Sequence, residues 1–281
     1  MILRFHHLAI RCLLLLLPVA GGCTMDSFLF NPARLSQYDL ADSVIPVSRV
    51  EAVEFSSGGF RIYGFFVRQP DSVRQKPHDV IIYSHGNKHH IGEYWNRVEY
   101  LYKAGFDVFI YDYRGYGRSE GTSSETGLSE DARAAYDYVT SHINEDSVRV
   151  TCYGYSLGAV AATVQAADRQ PQPHAVILEA PFADGETLVR SGTLLDIPGG
   201  YLLDGTFDNK GRVRRIHAPL LILHGTDDRF IDMEANGRVL YDAANNPKTF
   251  IPVVGADHET LPATMGVRTY MDIIIGFIKG N

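Results

Sequence analysis

Gly154-Tyr155-Ser156-Leu157-Gly158 stands between a strand-like run, Val148-Arg149-Val150-Thr151-Cys152-Tyr153, and a helix-like run from Leu157 through Val164. In that setting a G-x-S-x-G pentapeptide has a mechanical meaning. The serine occupies a sharp, strained strand-to-helix turn, and glycines on either side let strand and helix approach closely. Its hydroxyl is then raised above the end of a sheet, beside a helix N-terminus that favours negative charge. Glycine and serine also make ordinary strand–helix turns, so the pentapeptide has to be read with the rest of the chain.

Short apolar runs continue on both sides of it. They are Val80–Tyr83, Asp107–Tyr111, Ala175–Leu178, Leu220–Leu223 and Thr249–Val253. Longer helical patterns alternate with them at Tyr94–Ala104, Leu128–His142, Leu157–Asp168, Met233–Ala244 and Leu261–Lys279. This alternation predicts βαβ units and an α/β fold with a mostly parallel central sheet, helices on both faces. Pro252 puts the last strand near the sheet edge. Earlier, Val50–Phe55 and Ile62–Val67 flank Ser57-Gly58-Gly59, which predicts an antiparallel hairpin. The stretch 183–217 breaks the alternation with Gly- and Pro-rich pieces and falls between two core strands. It is expected to be a small excursion over the sheet top, a lid, with a passively packed crossover as the alternative.

The chain of 281 residues is 45% hydrophobic and 21% charged, with a net charge of -7. One large α/β domain accounts for that length. The acidic balance argues against a nucleic-acid partner, which calls for a basic excess or stripe. The three cysteines, Cys12, Cys23 and Cys152, form neither a disulfide framework nor a C-x-x-C metal motif.

Residues 1–22 read as a signal peptide. Arg4 and Arg11 give a positive start, Cys12–Val19 a short apolar core, and Ala20-Gly21-Gly22 the small residues a peptidase accepts. The apolar run falls short of the ~20 residues that span a bilayer. Val19-Ala20-Gly21-Gly22-Cys23 resembles the lipobox of bacterial lipoproteins, with Ala20 where leucine is usual. The resemblance implies a lipid on Cys23 and a membrane anchor. Thr24 in place of aspartate points to the outer membrane, facing the periplasm. Ordinary secretion or a retained N-terminal anchor are the alternatives. Residues 23–46 are expected to form a tether, and 47–281 the catalytic domain.

Parallel α/β sheets place their working loops at the carboxyl ends of the strands. Those positions hold His85-Gly86-Asn87, Asp112–Ser119, Ser156, His224-Gly225-Thr226-Asp227-Asp228 and Gly255-Ala256-Asp257-His258. A serine, an acid and a histidine thus follow one another in the order of an α/β-hydrolase. From Val50 to Lys279 the chain resembles that superfamily, in its Bem46-like or serine-aminopeptidase-like branch. The resemblance rests on the His-Gly-Asn loop, the Asp-Tyr-Arg-Gly-Tyr-Gly-x-Ser-x-Gly run at 112–121, the elbow, the His-Gly-x-x-Asp at 224–228 and the Gly-x-x-His at 255–258.

The resemblance implies a triad of Ser156, Asp228 and His258, with an oxyanion hole from the backbone N–H groups of Asn87 and Leu157. The chemistry agrees. A serine hydroxyl needs a base, an imidazole titrates near neutrality, and a carboxylate holds its tautomer. Asp227 and Asp184 compete with Asp228 as the acid, although the spacing from His224-Gly225 favours Asp228. His85 and His224 read as loop-shaping residues. Lys88-His89-His90 with His85 reads as a solvated loop in preference to a metal site, and no cofactor or metal is expected. Asp112–Ser119 reads as a supporting turn in which Arg114 pairs with a carboxylate. Arg190, Arg212, Arg214 and Arg215 are a solvated cluster or a receptor for an anionic substrate. The expected activity is that of a serine hydrolase on a small-molecule acyl substrate, an ester or thioester before an amide. The rivals are a non-catalytic hydrolase-fold binding protein and an acyltransferase that uses the same acyl-enzyme.

Overall fold

The computed structural model describes residues 29–40, 43–74, 77–143, 148–192 and 205–281. The expected signal peptide, Cys23 and the middle of the expected lid lie outside them. Eight strands form one sheet: β1 Val50–Ser57, β2 Phe60–Val67, β3 His78–Ser84, β4 Asp107–Tyr111, β5 Val148–Tyr155, β6 Ala175–Glu179, β7 Leu220–Gly225 and β8 Lys248–Val253. Their order across the sheet is β8-β7-β6-β5-β3-β4-β2-β1. The first hairpin and the β2–β4 pair are antiparallel, and every other pairing is parallel. The fold is therefore α/β with a mostly parallel sheet, as the alternating runs predict. Gly58 and Gly59, with φ of 56° and 86°, close the first hairpin in the left-handed geometry that a two-residue turn demands. The proline-bearing β8 is an edge strand, where Pro252 withholds an N–H from no central ladder.

Both faces of the sheet are buried because successive side chains alternate across it. Val150 and Cys152 join Ile82, Phe109 and Leu178 on the face covered by helices α2 (Glu125–Ser141) and α3 (Gly158–Asp168). Tyr153 joins Ile81, Tyr83 and Leu221 on the face covered by α1 (Trp95–Lys103) and the C-terminal helix. Burial pushes the Cys152 thiol well above its ordinary range, so it behaves as a small apolar side chain.

Two expected helices are interrupted. The pattern over Met233–Ala244 resolves into a wide π-type turn, Glu234–Arg238, and a short α6, Val239–Ala243. The turn widens where Gly237 lies on the ring of His224, with a Cβ position 2.4 Å from Nδ1. Leu261–Lys279 divides at Gly266 (φ 81°) into α7, Leu261–Met265, and α8, Val267–Gly280. The described ends of the 183–217 excursion carry α4 (Gly185–Gly192) and α5 (Asn209–Val213). They are stitched together by Gly185 N–H to Thr206 O and Lys210 N–H to Ala183 O.

The stretch expected as a tether is docked wherever it is described. Phe30, Tyr38 and Ile45 are buried, and Asn31–Pro32 pairs in parallel with Lys88–His89. Its three anchors are irregularly spaced around prolines, so neither helical nor strand periodicity announces them.

Candidate active site

Ser156 sits at the end of β5 with φ 53°, a strained conformation for a residue other than glycine. The local packing enforces it. A Cβ on Gly158 would lie 1.9 Å from Ser84 O, and one on Gly154 would lie 2.3 Å from Gly158 O. Only glycine lets the start of α3 rest on the end of β3. The Ser156 N–H donates to Glu179 O at 2.9 Å, which ties the elbow to β6.

Two further loops close on the serine. His258 Nε2 lies 2.9 Å from Ser156 Oγ, and His258 Nδ1 lies 2.8 Å from Asp228 Oδ2. A carboxylate accepts only, so Nδ1 carries the proton and Nε2 is left to accept from the serine hydroxyl. Asp228 is itself fixed: its Oδ1 accepts the N–H groups of Phe230 (3.0 Å) and Ile231 (2.7 Å). Burial by itself would raise this carboxyl. Hydrogen bonds from His224 and His258, with the Ile231 N–H, hold it well below the ordinary carboxylate range.

The competing acids are elsewhere. Asp227 is exposed and accepts from the Thr226 hydroxyl at 2.9 Å. Asp184 accepts the N–H (2.7 Å) and hydroxyl (2.8 Å) of Thr187 at the start of α4. His224, read from sequence as loop-shaping, is fully buried with Nε2 2.8 Å from Ile231 O and 3.3 Å from Asp228 Oδ2. It shares Asp228 Oδ2 with His258 and so braces the carboxylate.

Of the expected oxyanion donors, Leu157 follows the serine in the chain and Asn87 shares its cleft. Leu157 opens α3, and Asn87 follows β3; among the described residues neither N–H donates to another group. Both Asn87 and Ser156 line a cleft of about 690 Å³. Tyr94, Tyr155 and Phe230 give it aromatic walls, and Asn31, Lys88, Arg229, Asp257 and Glu259 give it polar ones. Phe230 stands edge-on to the His258 ring at 5.2 Å, and the Tyr155 ring lies 5.5 Å away with its hydroxyl donating to His258 O at 3.2 Å. Tyr155 was legible as the neighbour of the nucleophile. Phe230 and Asn31 had no signal beyond proximity to Asp228 and to a proline.

The remaining expected groups do other work. Arg114 forms a fork with Asp131, at 2.7 Å from NH2 and 3.1 Å from Nε to Oδ1, as the supporting turn requires. His85 is buried with Nε2 3.2 Å from Asp112, His89 faces Glu93 at 3.3 Å, and His90 accepts from the Gly92 N–H, so the histidines of this loop diverge. Arg190, Arg212 and Arg215 engage Glu186, Glu125 and Asp168, and none of the four arginines of that cluster lines the cleft.

Behind the elbow lies a buried ionic knot. Glu179 is fully buried, 3.0 Å from Arg97, and accepts from Tyr153 (2.6 Å) and Tyr270 (2.7 Å). Burial would lower the Arg97 guanidinium, but Glu179 beside it holds it above its ordinary range.

Residues 75–198, a stretch that holds β3, the elbow and β6, match the family Serine aminopeptidase, S33. The uncharacterized protein YfhR of Escherichia coli O157:H7 is 31% identical over 233 residues, which cover 81% of this chain and 80% of YfhR. Lysophosphatidylserine lipase ABHD12 of Macaca fascicularis is 35% identical over 192 residues, 62% of this chain and 47% of the lipase. Among solved structures, the esterase Pf2001 of Pyrococcus furiosus superposes with a TM-score of 0.71 at 19% identity, covering 90% of this chain and 97% of the esterase. The match to YfhR covers about four-fifths of both chains, and with the sheet order and the elbow it makes this chain a member of the α/β-hydrolase superfamily.

Proposed function

We propose that this chain is a serine hydrolase that cleaves a carboxylic ester or thioester through an acyl-enzyme on Ser156. The reading is carried by one observation: Ser156, His258 and Asp228 form an unbroken relay with contacts of 2.9 and 2.8 Å, and Ser156 and His258 line the cleft. Ser156 Oγ attacks the acyl carbon while His258 Nε2 takes its proton. Asp228 steadies the imidazolium that forms, and the N–H groups of Leu157 and Asn87 receive the oxyanion. The same histidine then protonates the leaving alcohol or thiol. A water, deprotonated by His258, releases the acid and restores the serine.

Aromatic walls around Ser156 suit an acyl chain, and the names of ABHD12 and Pf2001 agree with ester cleavage. One observation favours a second reading, an aminopeptidase: the acidic Asp257 and Glu259 are among the residues that line the cleft, a charge that suits a substrate amine. The family name Serine aminopeptidase, S33 agrees with it.

A fluorophosphonate probe on the full chain, followed by mass spectrometry, tests the serine. An adduct on Ser156 that disappears in Ser156→Ala and in His258→Ala is the expected result. A folded protein that takes no adduct would mean that the elbow is closed or inert, and the binding-protein reading would take first place. Paired p-nitrophenyl esters and aminoacyl p-nitroanilides then decide between the two reactions.

The cell-envelope location belongs to the same proposal. Lipidation of Cys23 would anchor the chain to the outer membrane, facing the periplasm. No helix among the described residues is long and apolar enough to cross a membrane. Cys23 precedes the cleft residue Asn31 by eight positions, which fully extended reach at most about 28 Å. A lipid there would hold the cleft mouth close to the bilayer.

A further inference from the structure

We propose that residues 29–38 are a working part of the active site, a strap that positions the Asn87 loop for oxyanion binding. The proposal rests on the hydrolase reading above.

Between β3 and α1 the loop carries the two-residue strand Lys88–His89 and one 3-10 turn, Ile91–Tyr94. β3 ends at Ser84 and α1 begins at Trp95, and the backbone between them has to find partners outside a main-sheet ladder. The strap supplies those of Lys88 and His89 on one side, while Tyr94 and Asp112 receive the Lys88 and Ile91 N–H groups. Asn31 pairs with Lys88 and Pro32 with His89 in a short parallel ladder, and the Ala33 N–H donates to His89 O at 3.0 Å. His89 has φ 48°, a strained conformation two residues beyond Asn87, so the strap fixes the loop where the backbone itself would relax.

The Asn87 side chain is the second point of attachment, and it faces the strap. Its Oδ1 accepts the Asn31 N–H at 2.9 Å and the Tyr116 hydroxyl at 2.6 Å, while its Nδ2 donates to Leu29 O. The amide therefore uses its donor and its acceptor to hold the residue whose own N–H is the oxyanion donor. Asn87 thus has two separable parts: a backbone N–H for the substrate and a side chain that acts as a positioning group.

The strap is independently seated. Phe30 packs on Phe207 at 6.1 Å, and the Tyr38 hydroxyl donates to buried Asp112, which in turn accepts the Ile91 N–H at 2.9 Å. Movement of the strap is thus transmitted to both ends of the oxyanion loop. Asn31 also lines the cleft, so the strap forms part of its wall.

The test uses the full chain and two variants. Asn31→Pro removes the strap N–H that reaches Asn87, and Asn87→Ala removes the side chain while keeping the backbone donor. Both are expected to lower kcat on a short p-nitrophenyl ester by about 10- to 100-fold, the scale of a catalytic group displaced by roughly 1 Å. KM should change little, because the lost interaction is made mainly in the transition state. The pH profile of the residual activity should keep its shape, because Asp228 and His258 are untouched. Thermal melts accompany each variant. If Asn31→Pro does not fold, Asn87→Ala alone carries the test, since it removes only the side-chain bonds to Asn31, Leu29 and Tyr116 and leaves every backbone-to-backbone hydrogen bond in place. Unchanged kcat in a folded variant, or a rise in KM with kcat intact, overturns the proposal while the hydrolase reading stands. Absence of Ser156-dependent turnover in the unsubstituted chain removes that reading, and this proposal with it.

Discussion

Asp228 receives two backbone N–H groups and stands between two histidines, so its carboxylate cannot turn away from His258 without giving up several bonds at once. Asp228→Asn should lower kcat/KM by about 10³- to 10⁴-fold, because an amide stabilises the wrong imidazole tautomer. Asp227→Asn, on an exposed side chain, should leave turnover within a few-fold. The reverse ranking in steady-state assays would transfer the acid role. Stability carries a second signature. Asp228 is held below its value in the unfolded chain, about 3.9. Its contribution is therefore present above that value and fades as the pH falls through it toward the folded-state value. The gap in thermal stability between the unsubstituted chain and Asp228→Asn should be widest at neutral pH and shrink in acid. A gap that widens in acid would contradict this assignment.

At the scale of elements, the β5–α3 elbow depends on backbone meeting backbone. Gly158→Ala would drive a methyl into Ser84 O, at the root of the Asn87 loop. It should cost about 3 kcal/mol or more by denaturant titration, at the upper end of what overpacking does. A loss under about 1 kcal/mol would mean that the strand and helix separate easily. Elements were legible in proportion to how local their causes are. The elbow, the hairpin at Gly58-Gly59 and the strands at the sheet centre follow from short-range pattern. The turn at Glu234–Arg238 does not, because it widens against the ring of His224, which belongs to β7. The division of the last helix at Gly266 was present in the sequence as a lone glycine, which helices also tolerate in their interiors.

For the whole molecule, the Glu179–Arg97 pair joins β6 to α1, and Tyr270 brings in α8. Arg97→Met would leave a carboxylate buried with only tyrosine donors. It should cost about 3–5 kcal/mol by denaturant titration, and restoring near-native stability would require changing Glu179 as well. A loss below about 1 kcal/mol would show that water reaches the site. The proposed lipid anchor belongs to this scale too. Cys23→Ala should shift the protein from the membrane to the soluble fraction, and unchanged membrane attachment would remove lipidation from the proposal.

The order of Ser156, Asp228 and His258, the parallel sheet and the expected oxyanion loop could be read from the chain because each motif lies at the end of its own apolar run, and a run with its turn is a local fact. What only the tertiary structure decided is how distant segments complete those motifs. His224 reaches Asp228 because the β7 loop folds back on itself. Glu179 finds Arg97 across 82 positions of chain. Residues 29–38, without a periodic pattern, become a strap because Phe30 and Tyr38 find buried seats and the free backbone of the Asn87 loop needs partners. Such contacts arise from burial and hydrogen-bond satisfaction summed over the assembled molecule, and neither sum exists until the chain has folded.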